Sequence, residues 1–145
     1  MSNAMLPRSR TAPSLDQLGV MDAMHPGVVT CPPETPLRDV AWMMSVYRIH
    51  AVVVYGEPGN DSAELWGVVS DLDLVEAAAA GEIESRTAAD IAATPLLLVE
   101  PTDTLTRAAQ IMSEHEVAHL VVIEPSSGRP LGVLSTLDVA RMLGT

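Results

Sequence analysis

Gly67-Val68-Val69-Ser70-Asp71-Leu72-Asp73 and Gly132-Val133-Leu134-Ser135-Thr136-Leu137-Asp138 are one phrase written twice in the same chain. Each copy reads Gly, two aliphatic residues, Ser, two variable positions and Asp. Each also closes a longer half-chain repeat, and internal repetition constrains a fold more strongly than any single residue. Working upstream, Pro33-Glu34-Thr35-Pro36-Leu37-Arg38-Asp39-Val40-Ala41-Trp42-Met43-Met44 lies over Pro101-Thr102-Asp103-Thr104-Leu105-Thr106-Arg107-Ala108-Ala109-Gln110-Ile111-Met112. The same alignment carries Val52-Val53-Val54 onto Leu120-Val121-Val122. It slips before the Gly phrase, where the first copy holds extra residues within Tyr55–Glu64, a stretch rich in turn formers and therefore a loop. Met21-Asp22-Ala23-Met24-His25-Pro26 answers Ala89-Asp90-Ile91-Ala92-Ala93-Thr94-Pro95. Two units thus account for nearly everything after residue 18.

Within each unit the elements follow from pattern. Val28-Val29-Thr30 and Leu96-Leu97-Leu98-Val99 predict short strands ending near Pro. A cap followed by a helix start at Thr35-Pro36 leads into Leu37, Val40, Ala41 and Met44 at helical spacing, and Leu105, Ala108, Ala109 and Met112 repeat that stripe. Ala51–Tyr55 and His119–Ile123 are continuous apolar runs too short for helices, which predicts interior strands covered on both faces. Trp66–Val69 and Leu131–Leu134 give a further strand pair, the second reached through the loop Pro125–Pro130, and helices start at Ser70 and Ser135. Each unit is β-α-β-β-α, and together they predict an α/β fold of two repeats related by pseudo-two-fold symmetry. The division expected is a flexible tail over 1–16, a first repeat over 17–80, a linker over 81–87 and a second repeat over 88–145. Within the tail, Ser2-Asn3-Ala4 reads as a cloning remnant, with Met5 the native start.

Composition excludes several functions. The chain has 145 residues and 48% hydrophobic content, enough to bury a sizeable core. There is no Phe, so the core is aliphatic and Met-rich, and the eight Met read as packing rather than as metal ligands. A net charge of −11, with no Lys, repels phosphate backbones and argues against nucleic acid as a partner. The one cysteine, Cys31, has no intramolecular partner and reads as a buried strand thiol, which suits the reducing cytoplasm. No apolar run reaches the ~18 residues of a membrane helix, and the start of the chain lacks a signal-peptide pattern. His115-Glu116-Val117-Ala118-His119 matches a zinc-protease pattern that needs both imidazoles on one helix face. Here the helix is expected to end near Glu116 and His119 to begin a strand, which separates them.

In its element order, strand-Pro-helix openings and doubled Gly-h-h-Ser-x-x-Asp phrase, residues 18–143 resemble the CBS domain, which occurs as a tandem pair called a Bateman module. The resemblance implies a regulatory, non-enzymatic role without a cofactor, adenosine-containing ligands held in clefts between the repeats, and a homodimer that reports to a protein partner. In the family, the Ser of the phrase approaches phosphate and the Asp holds ribose. Carried across, Ser70 and Ser135 are phosphate contacts and Asp73 and Asp138 ribose contacts. Thr30 retains the family's threonine before the first helix, whereas Leu98 replaces it in the second half. Val53 and Val121 stand where members often carry Pro.

The chemistry is sound apart from the name. A hydroxyl at a helix start sits among unpaired N–H groups that favour an anion, and a carboxylate one turn on can accept from a cis-diol. Ser-x-x-Asp is equally a helix capping box, so the phrase carries two readings. Asp71 repels a phosphate at Ser70 by on the order of 1 kcal/mol. The expected better site is therefore Ser135 and Asp138, with His119 and Arg141 in its neighbourhood. With few basic residues, AMP or ADP is expected ahead of ATP, and S-adenosylmethionine is the further candidate. The alternative is an interaction module with no ligand, serving dimerisation or docking.

Overall fold

The computed structural model describes residues 14–56, 65–92 and 96–144. In chain order these form a 3-10 turn (Leu15–Gln17), α1 (Val20–Ala23), β1 (His25–Pro26), β2 (Thr30–Cys31), α2 (Leu37–Tyr47), β3 (Ala51–Tyr55), β4 (Leu65–Ser70) and α3 (Asp71–Ala79). They continue as α4 (Ala88–Ile91), β5 (Leu98–Val99), α5 (Leu105–His115), β6 (His119–Ile123), β7 (Pro130–Ser135) and α6 (Thr136–Leu143). The β-α-β-β-α order appears twice, as β2-α2-β3-β4-α3 and β5-α5-β6-β7-α6. The extra residues of the first copy fall within 57–64, outside the described residues, as do residues 1–13 of the expected tail. Ser14–Asp16 are not tail: Ser14 opens the 3-10 turn, and Leu15 packs on the second repeat's core.

Each repeat builds its own sheet. In the first, β2 runs parallel to β3 and β3 antiparallel to β4; in the second, β5 is parallel to β6 and β6 antiparallel to β7, with β1 added antiparallel on the far edge. The central strands are buried at all three middle positions, Val52–Val54 and Leu120–Val122, as the continuous apolar runs require. Their side chains alternate between two jobs. Val52 and Val54 face α2 and α3, Leu120 and Val122 face α5 and α6, and Val53 and Val121 meet between the sheets with Val68. The Val53 N–H donates to the Val29 carbonyl at 3.0 Å and the Val121 N–H to that of Leu97 at 3.3 Å, bonds a proline at either place could not make. On α2 the buried stripe is Leu37, Val40 and Met44, with Met43 packed against the same core, while Ala41, expected in the stripe, is exposed.

The repeats exchange their leading segments. Val20 on α1 is fully buried in the second core, where its N–H donates to the Asp103 carbonyl at 2.8 Å. Reciprocally, Ala88 on α4 is fully buried in the first core, and its N–H donates to the Thr35 carbonyl at 2.8 Å. The division of the repeats in space therefore crosses their division in sequence. Unfolding one repeat strips part of the other's core, which couples the two into one cooperative unit. Cys31 is buried on β2, and burial pushes its thiol pKa up, so it is a poor nucleophile. No helix among the described residues is long and apolar enough to cross a membrane.

Candidate functional site

Both copies of the phrase end a strand in extended conformation at Ser and begin a helix at the next residue. Ser70 Oγ accepts the Asp73 N–H at 3.3 Å, while Asp73 Oδ2 accepts the Ser70 N–H at 2.8 Å and its hydroxyl at 3.0 Å. Ser135 Oγ accepts the Asp138 N–H at 3.1 Å, and Asp138 Oδ2 accepts the Ser135 N–H at 2.8 Å. Both are complete capping boxes, so the structural reading of the phrase holds at each place.

The copies differ in what surrounds the carboxylate. Asp138 is 3% exposed, and His25 Nδ1 stands 3.2 Å from each of its oxygens. His25 reaches it because β1 lies along β7, with Pro26 opposite Gly132. A Cβ on Gly132 would stand 2.4 Å from the His25 carbonyl oxygen, so this glycine of the phrase serves the close approach of neighbouring backbone. Asp73 is more open, and its Oδ1 has no partner among the described residues.

Ser70 and Asp73 border a cavity of about 230 Å³. Val68 and Leu72 from the first repeat, Leu96 and Leu97 before β5, and Glu116–His119 between α5 and β6 complete the lining. It is a cleft between the repeats with an apolar wall and a polar floor, the usual composition of a small-molecule site. His119 belongs to this cleft rather than to the neighbourhood of Ser135 and Asp138 alone. It shares a β6 face with Val121 and Ile123, and that face is turned to the first repeat. Burial pushes its pKa down; Asp71, Asp73 and Asp138 pull it back up, and His50 adds to the lowering. The imidazole is held towards its neutral form, able to donate from one nitrogen and accept at the other.

The remaining expected residues lie elsewhere. Thr30 is exposed on β2 opposite Val53, and Arg141 is exposed in the last turn of α6; neither lines this cleft. His115 and His119 are separated as expected, because Glu116 takes a left-handed conformation (φ 55°) that ends α5. Among the described residues no group of His, Cys, Asp and Glu is arranged to hold a metal ion. Glu116, Leu96 and Leu97 carry no local signal of a site: Leu96 and Leu97 belong to an apolar run and Glu116 ends a helix, and only the packing of the two repeats brings them to Ser70 and Asp73. A second, more open cavity of about 640 Å³ lies beside Glu34, Thr35 and Asp39, away from both copies of the phrase.

The family pattern of the CBS domain matches residues 20–80 and again 88–145, and the chain belongs to that family as a tandem CBS pair. It is 29% identical over 124 residues to hypoxic response protein 1 of Mycobacterium tuberculosis, covering 84% of this chain and 82% of that protein. Its fold is similar to the CBS domain pair of protein MJ0100 in complex with 5′-methylthioadenosine and S-adenosyl-L-methionine, with a TM-score of 0.75 at 18% identity over 87% of this chain and 95% of the other. It is also similar to the CBS domain of the bacterial CNNM/CorC family Mg2+ transporter in complex with ATP, with a TM-score of 0.73 at 22% identity over 90% and 89% of the two chains.

Proposed function

We propose that the chain is a non-enzymatic regulatory module that senses an adenosine-containing ligand in the cleft between its repeats. The observation that carries this reading is the half-used carboxylate of Asp73. Its Oδ2 closes the capping box, and its Oδ1 is left for a ribose hydroxyl on the floor of a cavity walled by Leu96 and Leu97. Adenosine complexes of similar folds support the same reading. Binding is reported through the geometry of a homodimer to a protein partner. The dimer's surface is the apolar face of α2 and α3, where Trp42, Val46, Tyr47, Leu72 and Val75 are exposed. The lone thiol of Cys31 fits action in the cytoplasm.

A thermal-shift screen over AMP, ADP, ATP, S-adenosylmethionine and cyclic dinucleotides tests it. A ligand at about a hundred times its dissociation constant adds about 2.7 kcal/mol to stability. A shift that disappears in Asp73→Ala is the expected result. The second reading, a ligand-free dimerisation module, is favoured by the fact that both Ser-x-x-Asp boxes are already satisfied internally, and it is the reading left standing if no compound produces a shift.

A further inference from the structure

We infer that Glu116 makes the first cleft selective for adenosine derivatives that carry no phosphate, either uncharged nucleosides or a sulfonium compound. This rests on the adenosine reading and names the ligand class it admits. The described lining holds two carboxylates, Asp73 and Glu116, and no arginine, and the chain has no lysine at all. Asp71 is a third carboxylate close enough to act on His119, and His119 itself is held towards its neutral form. Two of the arginines are committed elsewhere, Arg38 to Glu84 and Arg86 to Glu82. A phosphate in this cleft therefore meets two lining carboxylates and no lining cation, a repulsion that the partial positive charge at the start of α3 offsets only in part.

The repeat supplies the contrast within the same molecule. Glu116 is the left-handed residue that ends α5, and its counterpart ending α2 is Arg48, in the same conformation at φ 55°. The chain thus places a cation at one of these two positions and an anion at the other. Since Arg already occupies this backbone geometry in the first repeat, the exchange at residue 116 is compatible with the fold, and Glu116 is exposed.

Calorimetry with 5′-methylthioadenosine, adenosine and AMP on the wild-type chain, Glu116→Gln and Glu116→Arg tests the inference. Binding at this cleft is identified by its loss in Asp73→Asn, and only that fraction enters the comparison. The wild type is expected to bind 5′-methylthioadenosine at least about tenfold more tightly than AMP. Glu116→Gln should narrow that ratio and Glu116→Arg should close or reverse it, the change arising mainly in AMP affinity. AMP binding as tightly as 5′-methylthioadenosine in the wild type, or a ratio unmoved by both variants, overturns the selectivity and leaves the adenosine reading intact. No binding of any of the three compounds, together with no shift from S-adenosylmethionine or any other compound in the thermal screen, overturns both.

Discussion

The two repeats share a core and differ at their surfaces. Leu37 matches Leu105, Val40 matches Ala108, Met44 matches Met112, and the central strands are buried at the same three positions. On the outer face the correspondence fails. Trp42, Val46 and Tyr47 on α2 are exposed apolar residues, whereas α5 carries Gln110, Glu114 and His115 at those places. The clefts diverge as well, with Asp73 half open beside a cavity and Asp138 covered by β1 and held by His25. Packing constrains the interior of both copies alike, because a void or an extra methylene costs stability wherever it occurs. Exposed positions carry no such constraint, so α2 can present an apolar face while α5 stays polar, even though α6 exposes Leu137 and Leu143.

If the cores are equivalent, Leu37→Ala and Leu105→Ala should each cost about 2–5 kcal/mol in urea denaturation, in a single shared transition. Two separate transitions would break the coupling by exchanged segments. The carboxylates should separate the repeats. Asp138→Ala removes a buried group with two sets of partners and is expected to cost about 2–3 kcal/mol, against about 1 kcal/mol for Asp73→Ala. Equal costs would mean that His25 and burial add nothing at Asp138. At the outer face, if the proposed dimer forms through α2 and α3, Trp42→Ser should weaken it by about 2 kcal/mol or more in sedimentation, while Gln110→Ser leaves it unchanged. Equal effects would remove the distinction between the faces.

The smallest expected effect concerns His119, whose counterpart is Ala51. Its folded pKa is lowered, chiefly by burial, so above pH 6.5 both folded and unfolded states hold it neutral and it contributes no slope. As pH falls below 6.5 the unfolded chain takes up a proton that the folded chain resists, and stability drops. That contribution is at most about 1.4 kcal/mol per pH unit, ending at the folded pKa. Denaturation of His119→Gln across pH 5 to 8 should show a shallower acid loss than the wild type, and an identical slope would show that the imidazole is not desolvated on folding.

Much of the fold is legible in local pattern. The runs Ala51–Tyr55 and His119–Ile123 have the bounds of β3 and β6, and both helices following the Gly phrase start one residue past their Ser. These features depend on side-chain period, turn chemistry and caps, which act between residues a few positions apart. The site was legible in part. Ser70, Asp73 and His119 are each visible as chemistry, but their meeting in one cleft is not, since strand periodicity gives alternation and leaves open which face looks to the other repeat.

Local pattern specifies two β-α-β-β-α units, the caps at Ser70, Thr104 and Ser135, and the chemistry of the doubled phrase, whereas α2 starts after Pro36 with no side-chain cap from Thr35. Tertiary structure alone decided that α1 packs in the second core and α4 in the first, that His119 faces Ser70, and that β1 closes over Asp138. The physical reason is distance along the chain. His25 and Asp138 are 113 residues apart, and what joins them is the shape of two packed sheets and a glycine without a side chain at Gly132. No local propensity carries information across that separation.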